Sequence, residues 1–593
     1  MLQRALELVV RAWDAVHVEH KGAYSVARLQ RLHLFIQQDT KILHETTRSY
    51  WLRMVAVTFG APLPCLAVAL LSDSMPLAPP EAGPRANGVF WIRSWLVMAC
   101  YTFAIFSLVL HCVPALPQRL LLLVPISAGI GAAHAALHFT VATVLGFPVP
   151  FSNLTLDIPW VMLIVETLWI YMGPECRSSP MVRLQLKKFV VALYAASSLA
   201  IVYPLFYFMF LTVKEYPHVQ ILLTLLVLPV IKLLEKLFLY HVTCHIPDLQ
   251  PVYLAFNVEV FNTLFVSSCM CNTTSIAVTA SLMAVDFLGA CAALYGLRNL
   301  MAHVDTLNAK MGTAVTREHM LDIAILIATC RQPEVCKDTA TLDQTVANAS
   351  HSSTGKTPAI KKHKVSIAPL LVAEHSDKSS SPVMVTSIPT SKTPRKKKRV
   401  APMTNAVFPT EAILPSSLPP EPSIMARSHD NITAKTIERL STKERQHYAR
   451  EASRLLCRVE FLLVVEYTEV IVPMVYAIYV TAVYHLPNRM YFPYLRDMTE
   501  TDLAITVSSV LLYGALQLLS FMLLMFALSR RFQLTPNTQL RFTLQSEWKL
   551  VQGLLTLWVV YVLQSSLDHG GAYAPATTIP TRFRQKERNL NMH

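Results

Sequence analysis

Eleven stretches of this chain run for roughly twenty residues with few or no charged side chains, about the length an α-helix needs to cross a bilayer. They lie at about 54–72, 94–113, 120–146, 157–172, 189–213, 219–240, 252–271 and 274–297, then at 457–486, 502–528 and 549–567. At ~1.5 Å of rise per residue, each approaches the ~30 Å of a hydrocarbon core. The fourth is short, and only a turn near Asn272-Thr273-Thr274 separates the seventh from the eighth. Composition agrees: apolar residues make up 53% and charged residues only 15%, against the roughly 25% charged of a soluble globular chain.

These observations predict an all-α, polytopic transmembrane helical bundle of ten or eleven spans, depending on whether 549–567 crosses. They divide the chain into an amphipathic arm (1–53), a first transmembrane group (54–297), a basic segment (298–456), a second transmembrane group (457–567) and a tail (568–593). Residues 1–50 have no signal-peptide core, so the first span would act as a signal-anchor. The arm places Leu2, Leu6, Val9, Val10, Trp13 and Val16 on one helical face, suited to the membrane interface or to packing on other segments.

The formal net charge of +14 is concentrated in one place. Residues 298–453 alone hold 22 Lys+Arg against 14 Asp+Glu. The positive-inside rule puts that segment and the N-terminal arm in the cytoplasm. Arg582, Arg584, Lys586 and Arg588 fit this rule only if the last apolar stretch does not cross. Residues 333–432, rich in Ser, Thr, Pro and Lys and without an apolar period, are expected to be a long disordered loop. Within it, Arg395, Lys396, Lys397, Lys398 and Arg399 form a polybasic run beside Thr393-Pro394. It reads as a solvated linker, a contact for anionic lipid, or a nuclear-import string, in that order. Because the basicity belongs to a loop, nucleic acid is not an expected partner; the bilayer, anionic lipids and cytosolic proteins are.

Several strings in fixed order are similar to one known group. They include Gly22-Ala23-Tyr24-Ser25, Pro62-Leu63-Pro64-Cys65, and Met75-Pro76-Leu77-Ala78-Pro79-Pro80 leading into Phe90-Trp91-Ile92-Arg93. Gly146-Phe147-Pro148-Val149-Pro150-Phe151, Phe256-Asn257-Val258-Glu259-Val260-Phe261-Asn262, Leu282-Met283-Ala284-Val285-Asp286-Phe287 and Val465-Glu466-Tyr467-Thr468-Glu469 follow. Together they resemble an expanded group of multi-pass membrane proteins of oomycetes such as Phytophthora. The resemblance covers nearly the whole chain outside the basic loop. It implies architecture and carries no activity.

Ionisable side chains inside spans point to function, because each costs about 2.5–3.5 kcal/mol at a helix centre on insertion scales. The densest set is Asn257, Glu259, Asn262 and Asp286 in the seventh and eighth spans, with Glu466 and Glu469 in the ninth. Glu259 and Asn262 share a helix face, as do Glu466 and Glu469. Such a set can bind a cation, relay a proton or line a substrate path; the plainer alternative is interhelical hydrogen bonding that fixes packing. Pro473, four residues after Glu469, predicts a local bend. Lys232, Glu235 and Lys236 read as interface anchors, with Lys232 and Glu235 paired.

His241, Cys244 and His245, and the Cys269-Met270-Cys271 triplet, each fall short of the three or four convergent ligands a metal site needs. The eleven cysteines form no disulfide framework. No nucleotide-binding or hydrolase motif is present, so no cofactor and no enzyme class is indicated. Two functions are compatible with this pattern: a transporter or channel using intramembrane carboxylates, and a membrane-anchored scaffold or signalling protein acting through its basic loop.

Overall fold

The computed structural model describes residues 22–150, 152–213, 215–272, 276–311, 320–329, 439–531, 533–564 and 566–570. The amphipathic arm before residue 22, the loop with its Arg395–Arg399 run, and the C-terminal tail lie outside the described residues. Among the described residues every regular element is helical. In lipid this is forced, because only a helix or a closed barrel pairs all its own backbone groups.

The N-terminal helix α1 (Val26–Glu45) is capped by the Ser25 hydroxyl, which accepts from the Arg28 N–H. Helices α2 (Thr47–Gly60) and α3 (Leu63–Ser74) form a pair bent by 42°. Pro62 and Pro64 stand at the break, where each removes a backbone donor. Next come α4 (Gly88–Cys112), α5 (Leu120–Leu145) and the shorter α6 (Asp157–Tyr171). Helices α7 (Pro180–Ser197) and α8 (Leu199–Thr212) together make one long apolar segment. A short helical lead-in and a π-turn at Leu223–Val227 open α9 (Leu228–Thr243).

The helices α10 (Gln250–Asn272) and α11 (Ile276–Met311) follow, then the short α12 (Met320–Thr329), whose Met320, Ile323, Ala324 and Ile327 are buried. The 43-residue α13 (Thr442–Tyr484) starts with a capping box between Ser441 and Glu444. It runs unbroken from the charged Lys443–Arg458 stretch into the ninth apolar segment and stays helical through Pro473. Gly514 on the neighbouring helix lies opposite the Pro473 ring, 3.6 Å from where a Cβ would sit. The chain closes with α14 (Glu500–Arg531), α15 (Pro536–Ser546) and α16 (Trp548–Gln564).

Seven of these segments are long and apolar enough to cross a membrane, and α2–α3 makes an eighth if the bent pair is one span. The other expected stretches are shorter or interrupted: α6, the π-broken run into α9, and α16 with 17 residues. The last apolar stretch is therefore a short helix, and its Leu550, Leu554, Val559 and Leu563 lie in the core.

The burial pattern is that of a bundle meant for lipid. The apolar windows of α10 and α13 are 94% and 89% buried, which makes them the central pair, whereas that of α11 is only 24% buried. Outward positions are apolar: Leu121, Leu145, Ile170, Phe208, Leu288 and Phe526 are all well exposed. Such a surface suits contact with hydrocarbon. The two most deeply buried helices, α10 and α13, are the ones that carry most of the intramembrane carboxylates.

Candidate functional site

Four helices line a cavity of about 220 Å³ in the bundle. Helix α10 contributes Glu259 and Asn262 one turn apart, and both are fully buried. Helix α13 contributes Glu466 and Glu469, also one turn apart and buried. Asp286 enters from α11, and Lys232 and Lys236 enter from α9.

Lys232 is the hub. Its Nζ lies 2.8 Å from Glu259 Oε2, 3.3 Å from Glu469 Oε1 and 3.8 Å from Asp286 Oδ1. The Lys236 ammonium holds the other Glu259 oxygen at 2.9 Å and sits 5.2 Å from the Phe461 ring centre. From α14, Tyr513 donates its hydroxyl to Asp286 at 2.7 Å, and the Gln517 amide donates to the same oxygen at 3.3 Å. Ser520, on the same face of α14, hydrogen-bonds Glu466. Among the described residues, two buried acceptors of the cavity have no donor: Asn262 Oδ1 and Glu466 Oε2.

The charges do not balance. Four carboxylates line this cavity against two ammoniums, so the fully ionised set carries a charge of −2. Isolated buried charge is costly, and protonation of a carboxylate or a bound cation would relieve the excess.

Of the six residues singled out from sequence, Glu259, Asn262, Asp286, Glu466 and Glu469 line this cavity. Asn257 faces elsewhere: its amide donates to the Tyr253 carbonyl at 2.6 Å and its Oδ1 accepts from the Trp558 indole at 2.8 Å. It is a packing clasp between α10 and α16. The lysines depart from their expected role as interface anchors. Lys232 and Lys236 turn inward because buried carboxylates offer a stronger partner than headgroups, while Glu235 takes the Ser198 hydroxyl at 3.1 Å. Tyr513, Gln517 and Ser520 carry no local signal beyond polar residues at helical spacing.

Two further buried polar networks mark the ends of the bundle. In one, Arg28 of α1 pairs with both Glu460 and Glu547, Tyr24 donates to Glu460, and Thr543 Oγ1 donates to Glu460 at 2.7 Å. Burial would raise the Glu547 carboxyl, but hydrogen bonding by His111 at 2.6 Å and the Arg28 charge hold it down at about 2. In the other, Asp73 pairs with Arg93 at 2.5 Å and accepts from Tyr479 at 2.7 Å and Gln564 at 2.9 Å. Glu460 and Tyr479 are separated by about 28 Å of helix rise along α13. The cavity cluster therefore lies between the two networks. Both link segments far apart in the chain, so the sequence pattern did not disclose them.

No group of three His, Cys, Asp or Glu side chains among the described residues is placed to hold a metal ion. His241 and His245 each sit on a backbone carbonyl of their own helix turn, at 2.7 and 3.0 Å.

No protein-family model matches this chain, and neither a curated protein nor a solved structure matches it.

Proposed function

We propose that this protein is a membrane transporter whose ion site is the Lys232–Glu259–Asp286–Glu466–Glu469 cluster, and that it carries protons or small cations down their gradient. One observation carries this reading: four carboxylates surround two ammoniums beside a cavity in the bundle, and among the described residues two of its buried acceptors are left without donors. A purely structural ion-pair network would tend to equal numbers of opposite charges, because every unpaired buried charge costs stability. The resemblance to oomycete multi-pass proteins adds architecture only. In this reading the N-terminus and the 298–456 segment face the cytoplasm, following the distribution of Lys and Arg.

The test is proton flux in proteoliposomes carrying the full chain, with a pH-sensitive dye inside and a potassium diffusion potential imposed by valinomycin. Wild-type protein should acidify the lumen well above protein-free vesicles, and Asp286→Asn and Glu469→Gln should each remove most of that signal. Equal flux in wild type and both variants would overturn the reading.

A further inference from the structure

The cavity is built unevenly, and its geometry names a cargo class. Helices α9 and α11 are joined at the π-turn, where the Thr224 and Ser281 hydroxyls meet at 3.0 Å. Beyond that contact Gly289, Ala290 and Ala293 of α11 face Pro229, Val230 and Leu233 of α9, and the small side chains leave the cavity between them. This wall lies at the outside of the bundle. Val230 is 52% exposed, and its neighbours Leu226, Leu234, Phe287 and Leu288 form an apolar surface suited to lipid. An added Cβ at Gly289 would touch nothing within 4 Å, so the mouth is open there. Across the cavity α10 and α13 supply Glu259, Asn262, Glu466 and Glu469, and Lys232 and Asp286 reach toward them from α9 and α11.

A ligand that fits both sides has a positive end for the carboxylates and an apolar body for the mouth. The chemistry of the unpaired groups narrows the positive end. Asn262 Oδ1 and Glu466 Oε2 are acceptors waiting for N–H or O–H donors. A proton alone would satisfy Glu466 and leave Asn262 unpaired. Among the described residues no group of three His, Cys, Asp or Glu side chains is placed to hold a bare metal ion. A primary ammonium brings three donors and one positive charge. Volume narrows the body: about 220 Å³ is below the 300–1,000 Å³ of drug-sized sites, which restricts the body to one ring or a short chain.

We infer that the cavity binds a small amphipathic amine that enters sideways from the bilayer between α9 and α11. This rests on the cluster being a transport site, but equilibrium binding tests it separately from flux. The full chain in lipid nanodiscs would be titrated with radiolabelled phenethylamine, with phenylacetate and methylammonium as competitors. Saturable phenethylamine binding is expected, weakened about tenfold or more by Glu466→Gln, which corresponds to a loss of ~1.4 kcal/mol. Methylammonium should compete poorly because it lacks the apolar body, and phenylacetate should not compete. Gly289→Leu should slow or abolish entry, while Gly289→Ala, which fits the open space, keeps binding and shows that the helix tolerates substitution there.

Absence of saturable amine binding would overturn the inference, as would competition by phenylacetate or equal competition by methylammonium. If Asp286-dependent proton flux is found without amine binding, the cargo assignment fails and the transporter reading stands. Amine binding without flux has the opposite meaning.

Discussion

Replacing Lys232 by methionine removes the ammonium at the hub of the cluster while keeping most of the apolar stem. The three carboxylates it touches at 2.8, 3.3 and 3.8 Å each attract it by about 4–6 kcal/mol at an effective dielectric constant of ~20. Most of that attraction offsets the cost of taking the ammonium out of water. The net loss is therefore the ~3–5 kcal/mol found when one partner of a buried ion pair is removed. With an unfolding entropy of ~2 cal/mol/K per residue, this lowers the thermal midpoint in detergent by roughly 4 °C. The second part of the prediction is non-additivity. Glu259→Gln removes the nearest carboxylate charge, so the double variant Lys232→Met/Glu259→Gln should recover ~1–3 kcal/mol relative to the summed single effects. Thermal scanning of the four proteins in one detergent at neutral pH measures both quantities. A Lys232→Met midpoint within about 1 °C of wild type, or strict additivity, would refute the view that Lys232 is held by the cluster.

Three other outcomes follow from the packing. An alanine at Gly131 would place its Cβ 2.8 Å from the Ala99 nitrogen and 2.9 Å from the Trp95 carbonyl of α4. Gly131→Ala should thus cost ~1–3 kcal/mol of thermal stability, since backbone cannot give way; an unchanged midpoint would contradict this close helix approach. Glu547 is held down at about 2 from a usual 4.5, so its ionised form contributes about 3 kcal/mol near neutral pH. The sign follows: this stability is present above about pH 4.5 and fades as pH falls toward 2. The drop between pH 6 and pH 3 should be roughly 2 kcal/mol smaller in Glu547→Gln than in wild type when the two proteins are melted in parallel. Trp558→Phe removes the 2.8 Å bond to Asn257 and leaves a buried amide oxygen unpaired, a loss of about 1–3 kcal/mol in the same melting assay. Asn257→Leu in the Trp558→Phe background should restore part of it.

Sequence alone determined that this chain is an all-helical bundle with many apolar segments, because hydrocarbon thickness and backbone pairing leave one solution for uncharged runs of this length. It also singled out Glu259, Asp286, Glu466 and Glu469, since carboxylates inside such runs are expensive wherever they point. The direction in which each side chain points was decided by tertiary packing. Asn257, five residues from Asn262, turns to Trp558 instead of the cavity, and Lys232 and Lys236 turn inward instead of to headgroups. Hydropathy did not set the number of full-length spans either. Prolines bend α2–α3, a π-turn interrupts the approach to α9, and α16 ends after 17 residues. The partnership of Arg28 with Glu460 and Glu547 joins the first described helix to the last third of the chain. A local pattern records which residues share a helix face. Which faces meet depends on contacts between segments hundreds of residues apart, and these exist only once the bundle has closed.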